Sequence, residues 1–312
     1  MTLTANVFQF AWEVKLIEWL QQLIRLFPFL KDVFVTMTFL GEPFFPVLVG
    51  SIYYFGFDKD KGRKIFLFCL FSQMFTNQLK NIVRRQRPYI VNESIECLRP
   101  ASFNEDPYDL HKQGYSFPSG HATLVSSMAY FFHKDAESRA VTNIWMLFTI
   151  LLCISRFALG VHYPTDVLGG VLIGITSSII LMYVFDKYGE NKAFLLTLAV
   201  SIPGFFFVTT KDFYSVFGMF IGFFLGDMFE NRYVNFENSN NTFEVILRLV
   251  VGALVFLGIN YLLKYLFGLI GNDNDFLTRI LYIFRYGIAC FITVGIYPLC
   301  FRYFRFSKKE EA

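Results

Sequence analysis

The chain reads as an all-α polytopic membrane protein. Three observations predict this: 54% of its 312 residues are hydrophobic and 20% aromatic, the mean hydropathy is +0.45, and apolar runs long enough to cross about 30 Å of hydrocarbon recur along it. A soluble globule of this size carries more polar surface than that composition supplies. The net charge of +3 is too small for a nucleic-acid partner, and the basic residues stand at the ends of apolar runs rather than in one patch.

Residues 6–30 set Phe10, Val14, Ile17, Leu20 and Ile24 at helical spacing, with Glu13, Lys15, Glu18 and Arg25 between them. Residues 1–30 are therefore expected to form an amphipathic segment lying in the membrane interface. The first residues lack the basic region and cleavage site of a secretory signal, so the first span is expected to direct its own insertion. Apolar runs near 33–56, 65–83, 119–133, 141–158 and 165–185 predict five spans, the third of them short, and runs near 193–209, 214–229, 244–269 and 277–303 predict four more. The polar break Asp186-Lys187-Tyr188-Gly189-Glu190 divides a first bundle, 31–188, from an additional C-terminal transmembrane bundle, 189–312. Cys69, Cys153, Cys290 and Cys300 lie in apolar runs as small hydrophobes and Cys97 in a polar loop, with neither zinc nor redox spacing, so no structural disulfide is expected.

Orientation follows from the loops. Lys59, Lys61, Arg63 and Lys64, then Lys134 and Arg139, Lys187 and Lys192, and Arg302, Arg305, Lys308 and Lys309 face the cytoplasm by the positive-inside rule. The basic stretch Lys80 to Arg87 then falls on the opposite face, where it is read as chemistry and not as a topology signal.

Three polar clusters on that outer face carry the chemistry. Lys80, Arg84 and Arg87 are spaced i, i+4 and i+7, on one side of a helix that Pro88 ends. Such a stripe can hold phosphate oxygens, although basic residues at a helix end are also ordinary snorkelling anchors. Pro118-Ser119-Gly120-His121 opens an apolar helix, with Ser119 as a natural N-cap and Gly120 permitting close backbone approach. Exposed N–H groups at a helix start attract anions. Ser155-Arg156 is followed by His162-Tyr163-Pro164-Thr165-Asp166, where a carboxylate four residues from a histidine can fix its tautomer and leave one nitrogen as a nucleophile. The combined inventory suits a phosphate dianion attacked by histidine without a metal.

In this order and spacing, Lys-x6-Arg-Pro, Pro-Ser-Gly-His and Ser-Arg-x5-His-x3-Asp resemble the motif set of the type-2 phosphatidic-acid phosphatases, a family that shares its site with vanadium-dependent haloperoxidases. The positions filled are Lys80, Arg87, Pro88, Pro118, Ser119, Gly120, His121, Ser155, Arg156, His162 and Asp166. The resemblance covers about residues 33–185, and Leu40-Gly41-Glu42 also looks like bacterial members of the family. It implies a lipid-phosphatase-type core in a bacterial plasma membrane, and the loop charges put the site on the extracytoplasmic side. His162 would attack phosphorus to give a phosphohistidine, Asp166 would orient it, and His121 would protonate the leaving oxygen and later activate water. Lys80, Arg87, Arg156, Ser119 and the Gly120 amide would bind the phosphate, with no metal and no cofactor. Expected substrates are lipid mono- or diphosphates such as undecaprenyl diphosphate, phosphatidylglycerophosphate, phosphatidate, diacylglycerol pyrophosphate or sphingoid phosphates. Lipid-linked phosphotransfer, haloperoxidase chemistry and non-catalytic lipid binding or transport are the alternatives.

Other residues carry weaker expectations. Glu42 contacts a headgroup, pairs with Arg84, or is an interfacial carboxylate beside a Pro43 kink. His111 is a solvated loop residue. Gly218, Gly222 and Gly226 form a small-residue face for helix packing, within the chain or in a homo-oligomer through the C-terminal bundle. Asp227 and Glu230 are expected to be solvated.

Overall fold

The computed structural model describes residues 8–99, 114–135, 138–239, 241–269 and 275–303, and among them helix is the only regular structure. The helices are α1 (Ala11–Leu26), α2 (Phe29–Leu40), α3 (Phe44–Ile52), α4 (Lys59–Val83), the short α5 (Pro88–Val91), α6 (Gly120–Asp135), α7 (Arg139–Ala158), α8 (Pro164–Tyr188), α9 (Glu190–Ser201), the short α10 (Gly204–Phe207), α11 (Lys211–Phe229), α12 (Thr242–Gly268) and α13 (Asp275–Phe291). His111, Arg305, Lys308 and Lys309 lie outside the described residues.

Among the described residues, five segments are long and apolar enough to cross a membrane: Arg139–Ala158, Pro164–Tyr188, Lys211–Val234, Thr242–Gly268 and Asp275–Tyr303. A sixth is added if Phe29–Leu40 and Phe44–Phe57, bent by 52° at the break, count as one broken span. Three other expected spans fall short of that measure. α4 is interrupted by Gln73, Asn77, Gln78, Lys80 and Asn81, α6 has 16 residues, and the run 193–209 is divided between α9 and α10.

The chain forms two compact units, one of residues 1–46 and 71–210, the other of 47–70 and 211–312. This differs from a division at 188/189. Residues 47–70 pack with the C-terminal helices, and α9 stays with the first unit because Gln78 Nε2 donates to the Val200 carbonyl at 2.7 Å.

In the first unit, α6 lies against α7 and α8. Ser127 and Ser178 share a hydrogen bond of 2.7 Å, and Phe132 stacks on Trp145 at 4.6 Å. α1 is two-faced, but not as its pattern predicts. Glu13 and Gln21 are buried with Ile17, and Trp12 and Trp19 are exposed. Gln21 serves as an internal partner, its Nε2 donating to the Glu96 carbonyl at 2.7 Å, and Arg25 pairs with Glu96 at the surface at 2.8 Å.

The second unit buries charge at one end of α11. Arg63 Nε and the Tyr54 hydroxyl both donate to Asp227 Oδ1, at 3.0 and 2.9 Å, and Lys59 Nζ reaches Glu230 at 2.9 Å. Asp227 and Glu230 are thus buried and paired, not solvated. Their partners Lys59 and Arg63 come from the loop that supplied part of the orientation signal, which then rests on the other basic residues. Gly218, Gly222 and Gly226 pack inside the unit, against the backbones of Ile283, Gly287 and Gly295. A Cβ at Gly222 would collide with the carbonyl of Gly287, so Gly222→Val is expected to destabilise the protein by about 1–3 kcal/mol, read as a lower midpoint of thermal unfolding in detergent.

Candidate active site

The C-terminal end of α4, the start of α6, the end of α7 and the start of α8 come together in the first unit. α4 stops at Val83. Arg84 has a left-handed backbone (φ 55°), is exposed, and turns its side chain back to the Asn81 carbonyl at 2.9 Å. Lys80, Arg84 and Arg87 therefore share no helical face, and the buried cation between them is Arg85. Arg87 is also buried. Its Nη1 donates to the Val161 carbonyl at 3.0 Å and its Nε to that of Gly114 at 3.2 Å, which places the guanidinium beside His162.

The segment before α6 is tied into the same place. Ser116 N donates to the Arg85 carbonyl at 2.7 Å and Ser119 N to the Asp166 carbonyl at 2.9 Å. Ser119 does not cap α6 with its side chain. Its Oγ is buried without a hydrogen-bond partner, as are Nε and Nη1 of Arg156 and Nε2 of His121. A Cβ at Gly120 would meet nothing nearer than Gln73 Oε1 at 3.5 Å, so the surrounding protein leaves space there.

Between α7 and α8 the chain turns through Gly160 at φ +75°, and the His162 and Val161 amides both return to the Arg156 carbonyl at 3.3 and 3.2 Å. A side chain at residue 160 would have to adopt that left-handed backbone while pressing on the Glu96 carbonyl. The turn holds Arg156 and His162 side by side.

His162 is almost fully buried. Its Nδ1 is 3.6 Å from Asp166 Oδ2, outside hydrogen-bond range, and 3.4 Å from the Ser116 hydroxyl, which donates to the same carboxylate oxygen at 2.5 Å. Since that hydroxyl's proton goes to Asp166, it can accept from Nδ1–H, which leaves Nε2 with a free lone pair. Burial, then the charges of Arg87, Arg156, Lys80 and His121, hold the imidazole pKa well below 6.5. Lys80, Arg87, Arg156 and His121 thus all bear electrostatically on His162.

Asp166 is held by more than Ser116. Tyr163 N donates to Oδ2 at 2.8 Å and Arg85 Nη1 to Oδ1 at 2.7 Å. Arg85 Nη2 reaches Glu13 of α1 at 2.7 Å, and the Glu13 carboxylate accepts from Thr165 N at 3.0 Å and from the Thr165 hydroxyl at 2.5 Å. Glu13, Arg85 and Asp166 are all inaccessible to solvent. The guanidinium is also flanked by the rings of Phe8 and Tyr163, at 4.2 and 3.8 Å.

On the other side of the site, Glu42, in the turn between α2 and α3, lies 3.3 Å from His121 Nε2 and 3.2 Å from Arg99 Nη2. It does not pair with Arg84. Among the described residues, no three His, Cys, Asp or Glu side chains converge as metal ligands.

Residues 62–190 match the PAP2 superfamily, and residues 214–309 match the transmembrane extension of PAP2 superfamily phosphatases. The chain belongs to the PAP2 superfamily. It is 30% identical over 132 residues to a lipid A 1-phosphatase of Rhizobium johnstonii, covering 41% of this chain and 49% of that protein. It is 29% identical over 161 residues to phosphatidylglycerophosphatase B of Bacillus subtilis, covering 47% and 71%. The crystal structure of Aquifex aeolicus LpxE is similar at a TM-score of 0.46 and 27% identity, covering 56% of this chain and 96% of that one. The chain spans about half the length of the Rhizobium relatives it matches. The motif residues from Lys80 to Asp166 all fall within the PAP2 segment, and the Gly218, Gly222 and Gly226 stripe falls within the extension.

Sequence reading passes over Glu13, Arg85 and Ser116. Arg85 and Ser116 flank the motifs without belonging to them, and Glu13 meets Thr165 across 152 positions of chain. Glu13→Ala leaves Arg85 facing a single carboxylate in a dry site and is expected to cost about 3–5 kcal/mol. Gln21→Ala, which removes two neutral hydrogen bonds to the Glu96 backbone from the same helix, should cost about 1–2 kcal/mol; thermal unfolding in detergent compares the two.

Proposed function

We propose that this PAP2 protein is an integral-membrane lipid phosphatase that works through a phosphohistidine on His162, with its site at the extracytoplasmic face. One observation carries the reading: Arg156 and Ser119 present buried polar atoms with no hydrogen-bond partner, in the same site as a histidine whose Nδ1 is met by the Ser116 hydroxyl, which leaves Nε2 to attack. Burying unpaired donors is costly. A tetrahedral phosphate satisfies several of them at once, with Arg156 offering a forked donor and Lys80 a point charge.

His162 Nε2 attacks phosphorus and its ring becomes cationic. Ser116 meets Nδ1 and Asp166 lies 3.6 Å from it, both on the side where that charge appears. Lys80, Arg87, Arg156, Ser119 and the Gly120 amide bind the equatorial oxygens, His121 gives its proton to the leaving oxygen, and water then attacks the phosphohistidine. Burial of the site between membrane helices favours phosphates on acyl or prenyl tails, and the relatives named for lipid A and phosphatidylglycerophosphate support that class. Mono- and diphosphates both fit the donor set. The extracytoplasmic placement rests on Lys61, Lys64, Lys134, Arg139, Lys187 and Lys192 facing the cytoplasm.

Purified protein should release phosphate from lipid phosphates in EDTA. His162→Ala should abolish turnover without loss of fold, and Arg156→Ala should lower kcat by about 10²–10³-fold. Release that depends on an added divalent metal, or turnover by His162→Ala, would overturn the mechanism. The sign of the pH dependence follows from His162. A lowered pKa keeps the attacking nitrogen unprotonated as pH falls through 6.5, so the acid limb of kcat/KM, corrected for substrate ionisation, is expected below that value.

A further inference from the structure

Both histidines of the site have a carboxylate nearby, but only His162 belongs to a motif that includes one. The charged and titratable groups bearing on His121 are Arg156 from α7, Arg99 from the loop after α5, Glu42 from the turn between α2 and α3, and His162 from the turn before α8. Burial works most strongly against protonation of the ring, and two of these groups are permanent cations that add to it. Asp166 offers no counterweight, because its oxygens are committed to Arg85, Ser116 and the Tyr163 amide. Glu42 remains. Its Oε1 stands 3.3 Å from His121 Nε2, yet the two are not aligned as a hydrogen bond. The carboxylate is near enough to favour the imidazolium without fixing the N–H, which stays available to another acceptor. Arg99, 3.2 Å from the same oxygen, holds the carboxylate in place.

On the phosphatase reading above, we propose that Glu42 is the positioning residue of the general acid, keeping His121 protonated against Arg99 and Arg156 and directing Nε2–H to the leaving oxygen. In the first step His162 Nε2 bonds to phosphorus, the phosphorus–oxygen bond breaks with its electron pair going to the leaving oxygen, and that oxygen takes the proton from Nε2 of His121, whose N–H electron pair stays on nitrogen, so that His121 becomes neutral. In the second, neutral His121 takes a proton from water, the water oxygen bonds to phosphorus, and the phosphorus–His162 bond breaks with its electron pair returning to nitrogen.

The test uses two substrates with one tail and different leaving groups. Phosphatidate must expel an alkoxide, which leaves only with a proton; diacylglycerol pyrophosphate expels a phosphate ester, which leaves without one. In full-length protein, Glu42→Gln is expected to lower kcat on phosphatidate by about tenfold or more with KM little changed. The loss on the pyrophosphate should be at most about threefold, and the basic limb of the phosphatidate profile should move about one pH unit lower. Glu42→Asp should restore part of both effects and carries the same test if Glu42→Gln does not fold. Equal losses on the two substrates, or an unmoved limb, would show that Glu42 is only structural. If His162→Ala is dead and Glu42→Gln behaves as wild type, the role of Glu42 falls and the phosphatase reading stands. If wild-type protein releases phosphate from no lipid, both fall.

Discussion

The first unit is organised around one buried guanidinium. Arg85 joins Glu13 of α1 to Asp166 of α8 through hydrogen bonds of 2.7 Å, with all three side chains out of reach of solvent. A buried charge is tolerated when it is paired and most of its hydrogen-bonding capacity is met. Here two carboxylates and the Thr165 hydroxyl accept from Nη1 and Nη2, the rings of Phe8 and Tyr163 flank the group, and Nε alone is buried without a hydrogen bond. Because the partners come from separate parts of the chain, none can be desolvated until the others are in place. Closing this cluster therefore sets the positions of α1, the end of α4 and the start of α8 together, and Asp166 in turn fixes Ser116 and the Ser119 amide.

The cluster also separates two kinds of polar group. Arg85, Glu13 and Asp166 pair with one another, with Arg85 Nε the one atom among them left without a hydrogen bond, whereas Arg156, Ser119 and His121 keep atoms that no protein group hydrogen-bonds. The same unit therefore contains an ion-paired network and a set of donors held open. The paired network supplies rigidity. The open set can bind an anion strongly because its donors are fixed in place when the chain folds. A site built this way is preorganised at the expense of stability, as expected where binding an anion is the purpose.

The membrane-helical class was legible in composition, and the residues gathered at His162 were legible because each sits in a short motif at a helix end. Their supports were not. Arg85 lies inside the Lys80 to Arg87 stretch, yet helical spacing chose Arg84, since nothing in the local pattern shows that the helix stops at Val83 and the chain turns left-handed. Glu13 looked like part of a wet face because amphipathicity records which residues are polar, not whether water or a buried cation awaits them. Asp227 and Glu230 were misread for the same reason. The span count differs for another reason: α4 packs against protein along much of its length, with Gln73 and Gln78 donating to the Gly120 and Val200 carbonyls, so its hydropathy understates its place in the bundle.

The second unit follows the same rule with other residues. A carboxylate inside a helical membrane protein is expensive unless a cation reaches it, and Arg63 and Lys59 reach Asp227 and Glu230 from residues far away in sequence. Small residues do the complementary work along α11. With Gly218, Gly222 and Gly226 against the Ile283, Gly287 and Gly295 backbones, the two helices approach closely enough for dispersion to hold them without a hydrophobic driving force between them. The glycine face is therefore spent inside the chain, so any association between copies must use other surfaces. Ion pairing fixes which helices meet, and close backbone contact fixes their register. Neither feature contains a nucleophile or an unpaired anion-binding donor set like that of the PAP2 segment, which confines the chemical case to the first unit.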